Sequence, residues 1–125
     1  MVKVKTYREL VVWQRAMDFA EAVYRQTGQF PFEETYGLRS QVRRSAVSVP
    51  SNIAEGQGRR STREFLHRLS IAHGSLLEAE TQTLLSQRLG YLSPASSDSL
   101  LQSSAEVGRL INGLCAALEE REGRQ

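Results

Sequence analysis

The sequence predicts an all-α protein, a single antiparallel up-down-up-down bundle of four helices, on three observations. Apolar residues recur at spacings of three and four in four separate stretches. Short connections containing Gly, Pro and Ser separate those stretches, which favours sequential antiparallel neighbours. No alternating apolar and polar run bounded by turn residues, the mark of a half-buried strand, occurs anywhere. A chain of 125 residues, 40% hydrophobic and 24% charged, is long enough to bury one core as a single domain over 1–125.

The helices are expected at about 7–27, 34–56, 62–89 and 95–119. Thr6-Tyr7-Arg8-Glu9 has the Thr-x-x-Glu form of a capping box and should open the first. Leu10, Trp13, Met17, Ala20 and Tyr24 then form an apolar stripe, which Val12, Ala16, Phe19 and Val23 widen to about half the circumference. That is wide for one small core. Gly28 should end the helix, with Phe30-Pro31-Phe32 folding its aromatics over the bundle end. In the second helix Leu38, Val42, Ala46, Val49 and Ile53 make the core stripe. Its period stays in phase across Pro50, so a kinked continuous helix is expected and not a break.

Ser61-Thr62-Arg63-Glu64 is a second capping box, opening the longest helix, which Gly90 should close. Phe65, Leu69, Ala72, Leu76 and Ala79 give its core stripe and Leu66, Leu77 and Leu84 a neighbouring one, with His73 and Glu80 on the inward half. Ser93-Pro94 marks the entry to the fourth, whose seam is Leu100, Val107, Ile111, Leu114 and Leu118. Glu119 to Gln125 should fray.

Composition bounds the chemistry. Cys115 is the only cysteine, so no intrachain disulfide can form and a reducing compartment fits best. Met1-Val2-Lys3-Val4-Lys5 passes directly into polar residues without the apolar run of a signal peptide, and the expected location is cytoplasmic. His67, His73 and Glu80 lack the close His-x-x-His or Glu-x-x-His spacing of bundle metal sites, so neither metal nor cofactor is expected. No set of base, nucleophile and oxyanion donors can be assembled, and a non-enzymatic protein is expected.

Net charge is only +2, but residues 39–68 hold seven arginines against Glu55 and Glu64. Arg39, Arg43, Arg59, Arg60, Arg63 and Arg68 are the candidate nucleic-acid contacts, because guanidinium groups engage phosphate with paired hydrogen bonds. The loop and helix start from Gly56 to Arg63 has the composition of an anion cradle, though not the spacing of a P-loop. A second feature is a polar stripe of Gln41, Arg44, Ser45, Ser48, Asn52 and Glu55 beside the core stripe of the second helix. Groups so placed either bond across to the third helix or cap the carbonyl that Pro50 frees, and so hold the kink, or they line a ligand site or subunit interface. Ser75, Glu78 and Glu80 are their candidate partners.

Three blocks stand in order: Leu38-x-x-Gln41 with Arg43-Arg44; Ser48-Val49-Pro50-Ser51-Asn52-Ile53-Ala54-Glu55-Gly56; and Ala72-His73-Gly74-Ser75-Leu76-Leu77-Glu78-Ala79-Glu80. Over about residues 7–115 the chain resembles a bacterial four-helix-bundle family. Its members include proteins encoded in intervening sequences of 23S ribosomal RNA genes, also labelled S23 ribosomal proteins. Accessory variability proteins of diversity-generating retroelements are distant relatives. The resemblance implies a homopentamer arranged as a barrel with a central channel, which would account for the wide apolar face of the first helix. In the retroelement relatives a basic surface binds nucleic acid and the assembly partners a reverse transcriptase. It does not imply a ribosome component. The acidic C-terminal end departs from the more basic relatives.

Two functions therefore compete. One is an oligomeric accessory protein binding RNA or DNA through its arginines; the other is a protein-interaction scaffold whose arginines, Arg44 first, meet acids such as Glu78 and Glu80 of a neighbouring subunit or partner.

Overall fold

The computed structural model describes residues 5–123. The expectations for Met1 to Val4, and for Arg124 and Gln125, lie outside the described residues. The chain forms α1 (Val11–Gln26), α2 (Leu38–Gln57), α3 (Thr62–Arg88) and α4 (Pro94–Gly123), with 3-10 turns at Tyr7–Glu9 and Phe32–Glu34. Each helix packs on its two neighbours and α1 closes on α4, while diagonal pairs stay apart; α2 and α3 share the most extensive interface. This is the four-helix bundle the apolar periods predict.

Both helix starts in the second half follow their caps. Ser61 Oγ accepts from Glu64 N at 3.1 Å and Ser93 Oγ from Ser96 N at 3.1 Å, satisfying donors that a helix start leaves unpaired. Gly90 takes φ +81, a left-handed conformation that suits glycine, and lets Tyr91 N return to Ser86 O at 2.9 Å to close α3. The first capping box behaves differently. Thr6 Oγ1 accepts from Arg8 N and Glu9 Oε2 from Lys5 N, each at 3.0 Å, so the box closes a 3-10 turn. The chain then extends at Leu10 (φ -74, ψ 123) and α1 starts afresh at Val11 without a side-chain cap. The second helix likewise starts later than 34: Phe32–Glu34 is a separate turn, and Glu34 Oε1 accepts from Leu38 N at 2.8 Å to begin α2.

The core is built from Val12, Ala16, Phe19 and Val23 of α1, Val42, Ala46, Val49 and Ile53 of α2, Leu69, Ala72, Leu76 and Ala79 of α3, and Leu100, Val107, Ile111 and Leu118 of α4. Along α1 the stripe expected to widen the core supplies most of it. Of the first stripe Ala20 is buried and Leu10 and Trp13 pack against the core, while Met17 and Tyr24 are 44% and 46% exposed. A helix presents only about a third of its surface to one core, and the larger Trp13, Met17 and Tyr24 are turned towards α2. Leu77 and Leu84 of the neighbouring α3 stripe also face out, at 50% and 47%. Of the aromatics between α1 and α2, Phe30 is buried with its ring 5.4 Å from that of Tyr91, whereas Phe32 is 85% exposed and covers nothing. The fourth helix continues to Gly123, beyond the expected end.

Candidate functional site

Helix α2 passes through Pro50 without interruption, and its two flanks differ. On the flank towards α3 the polar stripe is tied into the bundle. Ser48 Oγ and Ser75 Oγ lie 2.8 Å apart, and Asn52 Nδ2 donates to Ser48 O at 2.8 Å and to Ser48 Oγ at 3.0 Å. Arg68 Nη1 donates to Asn52 Oδ1 at 3.3 Å and reaches Glu55 Oε2 at 2.9 Å. A chain of bonds thus runs from Ser75 through Ser48 and Asn52 to Arg68 and Glu55. These bonds link helices, and the stripe does not cap the carbonyl of Ala46 that Pro50 leaves without its usual donor. At Gly56 the two helices come so close that an added Cβ would stand 2.7 Å from Phe65 Cδ1 and 2.9 Å from Arg68 Cβ, so glycine is what the approach requires.

Further along this flank Gln41, Arg44, Ser45, Ser48, Glu78 and Gln82 line an open groove of about 360 Å³. The Arg44 and Glu78 side chains are both exposed, with no ion pair between them. Glu80 turns to α4 instead, accepting from Ser104 Oγ at 2.6 Å, and is half-buried, as is His73. Cys115 is also half-buried; burial first, then the neighbouring Glu119 carboxylate, pushes its thiol pKa up and keeps it protonated.

The flank towards α1 is open. A groove of about 580 Å³ is lined by Tyr24, Thr35, Tyr36, Arg39, Ser40, Arg43, Arg44 and Val47. Arg43 Nε donates to Thr27 Oγ1 at 2.9 Å and Nη2 to Tyr24 O at 3.1 Å, while its guanidinium lies 4.5 Å from the centre of the Tyr24 ring. Arg39 Nη2 donates to Thr35 Oγ1 at 2.7 Å and Nη1 to Gly28 O at 3.4 Å. Uncharged acceptors therefore fix the two guanidinium groups without cancelling their charge. Of the two acids in the preceding turn, Glu33 is exposed, and Glu34 is committed to the start of α2 and to the Tyr91 hydroxyl, which donates to its Oε2 at 3.0 Å. That hydrogen bond raises the Tyr91 pKa, with burial and the Glu34 charge adding to it.

Towards the α1 N-terminus the same flank turns apolar, as a groove of about 410 Å³ lined by Tyr7, Trp13, Met17, Ala20, Glu21, Tyr24, Val47, Pro50, Ser51 and Ala54. The Tyr7 ring meets Trp13 edge-on at 5.1 Å.

The expected single basic surface is divided. Arg39 and Arg43 stand near the start of α2, with Arg44 beside them, whereas Arg59, Arg60 and Arg63 follow its end, about 30 Å away at 1.5 Å per residue. At that far end Arg59, Arg63, Glu64, His67 and Arg68 share an open surface, but Arg68 is spent on Glu55 and Asn52. The suggested cradle is also less free than its composition implies, since Ser61 already takes the Glu64 N-H and Gly56 is pressed against α3. Sequence reasoning missed Tyr24 and Tyr36 as companions of the arginines, and Thr27 and Thr35 as their anchors. The available signal was an aromatic residue in a polar connection just before the Arg-x-x-x-Arg-Arg run. Among the described residues no three His, Cys, Asp or Glu side chains converge as a metal site would need, and no helix is long and apolar enough to cross a membrane.

The comparisons with known proteins agree with the fold. The crystal structure of a protein of unknown function from the S23 ribosomal protein family of Bacteroides thetaiotaomicron is similar, with a TM-score of 0.76 and 24% identity, covering 84% of this chain and 98% of that one. No curated protein matches the chain. Residues 8–113 match the family model described as 23S rRNA-intervening sequence protein. The chain therefore belongs to the 23S rRNA-intervening sequence protein family.

Proposed function

We propose that the protein is a non-enzymatic RNA-binding accessory protein whose recognition surface is the open flank of α2 at Arg39, Arg43 and Arg44. The observation that carries this reading is the groove itself, three arginines and two tyrosines with no acidic residue among its lining. The guanidinium groups of Arg39 and Arg43, held by uncharged acceptors, and the exposed Arg44 beside them attract a polyanion and release its counterions on binding, which supplies a large share of the affinity of nucleic-acid complexes. The far cluster at Arg59, Arg60 and Arg63 is a weaker candidate because Glu64 and the Arg68–Glu55 pair lie within it. Choosing RNA over DNA follows the family's name, which associates its members with a ribosomal RNA gene. The test is titration of the purified protein against a labelled RNA hairpin from 50 to about 300 mM salt. Affinity that falls steeply and linearly with log salt is expected; absence of binding at the lowest salt, or affinity indifferent to salt, would contradict the reading.

A second reading accompanies the first and concerns assembly. We infer that copies associate, as a homopentamer, through the apolar half of the same flank. Met17 and Val47 are 44% and 40% exposed there beside Trp13, Pro50 and Ala54, and contiguous apolar surface of this kind marks interfaces. Light scattering should give about five times the mass of one chain, and Met17→Glu should lower it. A monomeric wild type would end this reading while leaving RNA binding standing.

A further inference from the structure

Two exposed aromatics, one lining the basic groove and one just before it in the chain, are unused by phosphate contact alone. Tyr36, which lines it, is 94% exposed, and Phe32, four residues earlier on the same connection, is 85% exposed. Both rings are largely exposed, on a short segment whose third aromatic, Phe30, is buried. Neither ring packs on the bundle, and no aromatic or cation contact involves them. The Arg43 guanidinium lies against the Tyr24 ring, so that the groove holds an aromatic and a planar cation already layered 4.5 Å apart. Planar rings beside immobilised arginines are the combination that takes splayed-out bases. Each base offers a face for stacking while its phosphate meets the guanidinium, and duplex bases, stacked on one another, cannot do this.

Building on the RNA-binding reading, we propose that this groove is a site for unpaired nucleotides, in which a base stacks on Tyr36 while the adjoining phosphates engage Arg39 and Arg44. The groove volume of about 580 Å³ lies within the range of small-molecule pockets and is large enough for a nucleotide. Arg43, held by Thr27 and by the Tyr24 carbonyl, spends two of its donors on the protein, and the others are free for phosphate. The loop or single-stranded part of a folded RNA is therefore the ligand class, and regular duplex is not.

The experiment compares a fluorescein-labelled single-stranded RNA with a duplex RNA of the same length, titrated by anisotropy against the wild type, Tyr36→Ala and Tyr36→Phe. The expected result is single-strand binding about tenfold tighter than duplex binding, lowered about tenfold by Tyr36→Ala and preserved by Tyr36→Phe, because a phenyl ring stacks as well. The salt slope should not change with either variant, since no phosphate contact is removed. Tyr36 is exposed, so neither variant threatens folding. Equal salt-dependent affinity for both probes, or a Tyr36→Ala variant indistinguishable from wild type, would overturn this proposal while leaving the RNA-binding reading intact. Failure of both probes to bind would overturn the two together.

Discussion

The two flanks of α2 are made from the same kinds of residue and end in opposite states. Towards α3, an arginine, a glutamate, an asparagine and two serines satisfy one another in a continuous chain, with Gly56 letting the Phe65 and Arg68 side chains pack on the α2 backbone. Towards α1, two arginines are positioned just as firmly, but by threonine hydroxyls and backbone carbonyls, so that their charge is left for something outside the chain. The difference teaches that arginine content alone does not locate a binding surface. What matters is whether the groups that orient a guanidinium also neutralise it.

If that distinction is right, changes on the closed flank should cost stability and spare binding, and changes on the open flank should do the reverse. The largest effect belongs to Gly56→Val. Its side chain would press on Phe65 and the Arg68 stem, and a loss of about 2–3 kcal/mol in urea unfolding is expected. A loss under half of that would mean the helices have room to spare. Asn52→Ala follows, removing the bridge between Ser48 and Arg68, which keep only Ser75 and Glu55 as partners. We expect about 1–2 kcal/mol of destabilisation with unchanged RNA affinity at temperatures where the variant is folded.

On the open flank Arg39→Ala should alter stability by no more than about 0.5 kcal/mol. Its signature is a several-fold drop in RNA affinity and a salt slope shallower by about 1. A variant that unfolds early and binds normally would reverse the comparison. The smallest effect concerns Tyr91, at the foot of the open flank. Its folded pKa is raised, chiefly by donating to Glu34, so the folded state holds that proton more tightly than the unfolded chain. Stability is therefore fully present below the ordinary tyrosine pKa of about 10 and declines as pH rises through it. Tyr91→Phe should abolish that decline in denaturation midpoints taken between pH 9 and 11.

The sequence carried the bundle and most of its core, because four apolar periods of 3.6 residues admit few other packings. It carried less of α1, where nine apolar positions cover two seams and periodicity cannot tell which one meets the core. Local signals also misread the first capping box: Thr6 and Glu9 have the right spacing, yet whether they open an α-helix or a 3-10 turn depends on how Leu10 enters the bundle. The candidate site was half readable. The arginines stood out as a cluster in the chain, but α2 separates its ends by about 30 Å, and only three dimensions reveal which arginines have carboxylates beside them. Tyr36 had a signal in its place just before the arginine run, whereas Tyr24 became visible as a site residue only once the fold brought it to Arg43.

The central claim is that recognition lies on the uncompensated flank and not wherever arginines are dense. The direct measurement is the slope of log affinity against log salt for one RNA hairpin, taken for the wild type, for Arg39, Arg43 and Arg44 changed together to Ala, and for Arg59, Arg60 and Arg63 changed together to Ala. The first triple should flatten the slope by about 2–3 and the second by less than about 1; an unchanged slope in the first, or the larger loss in the second, would contradict it.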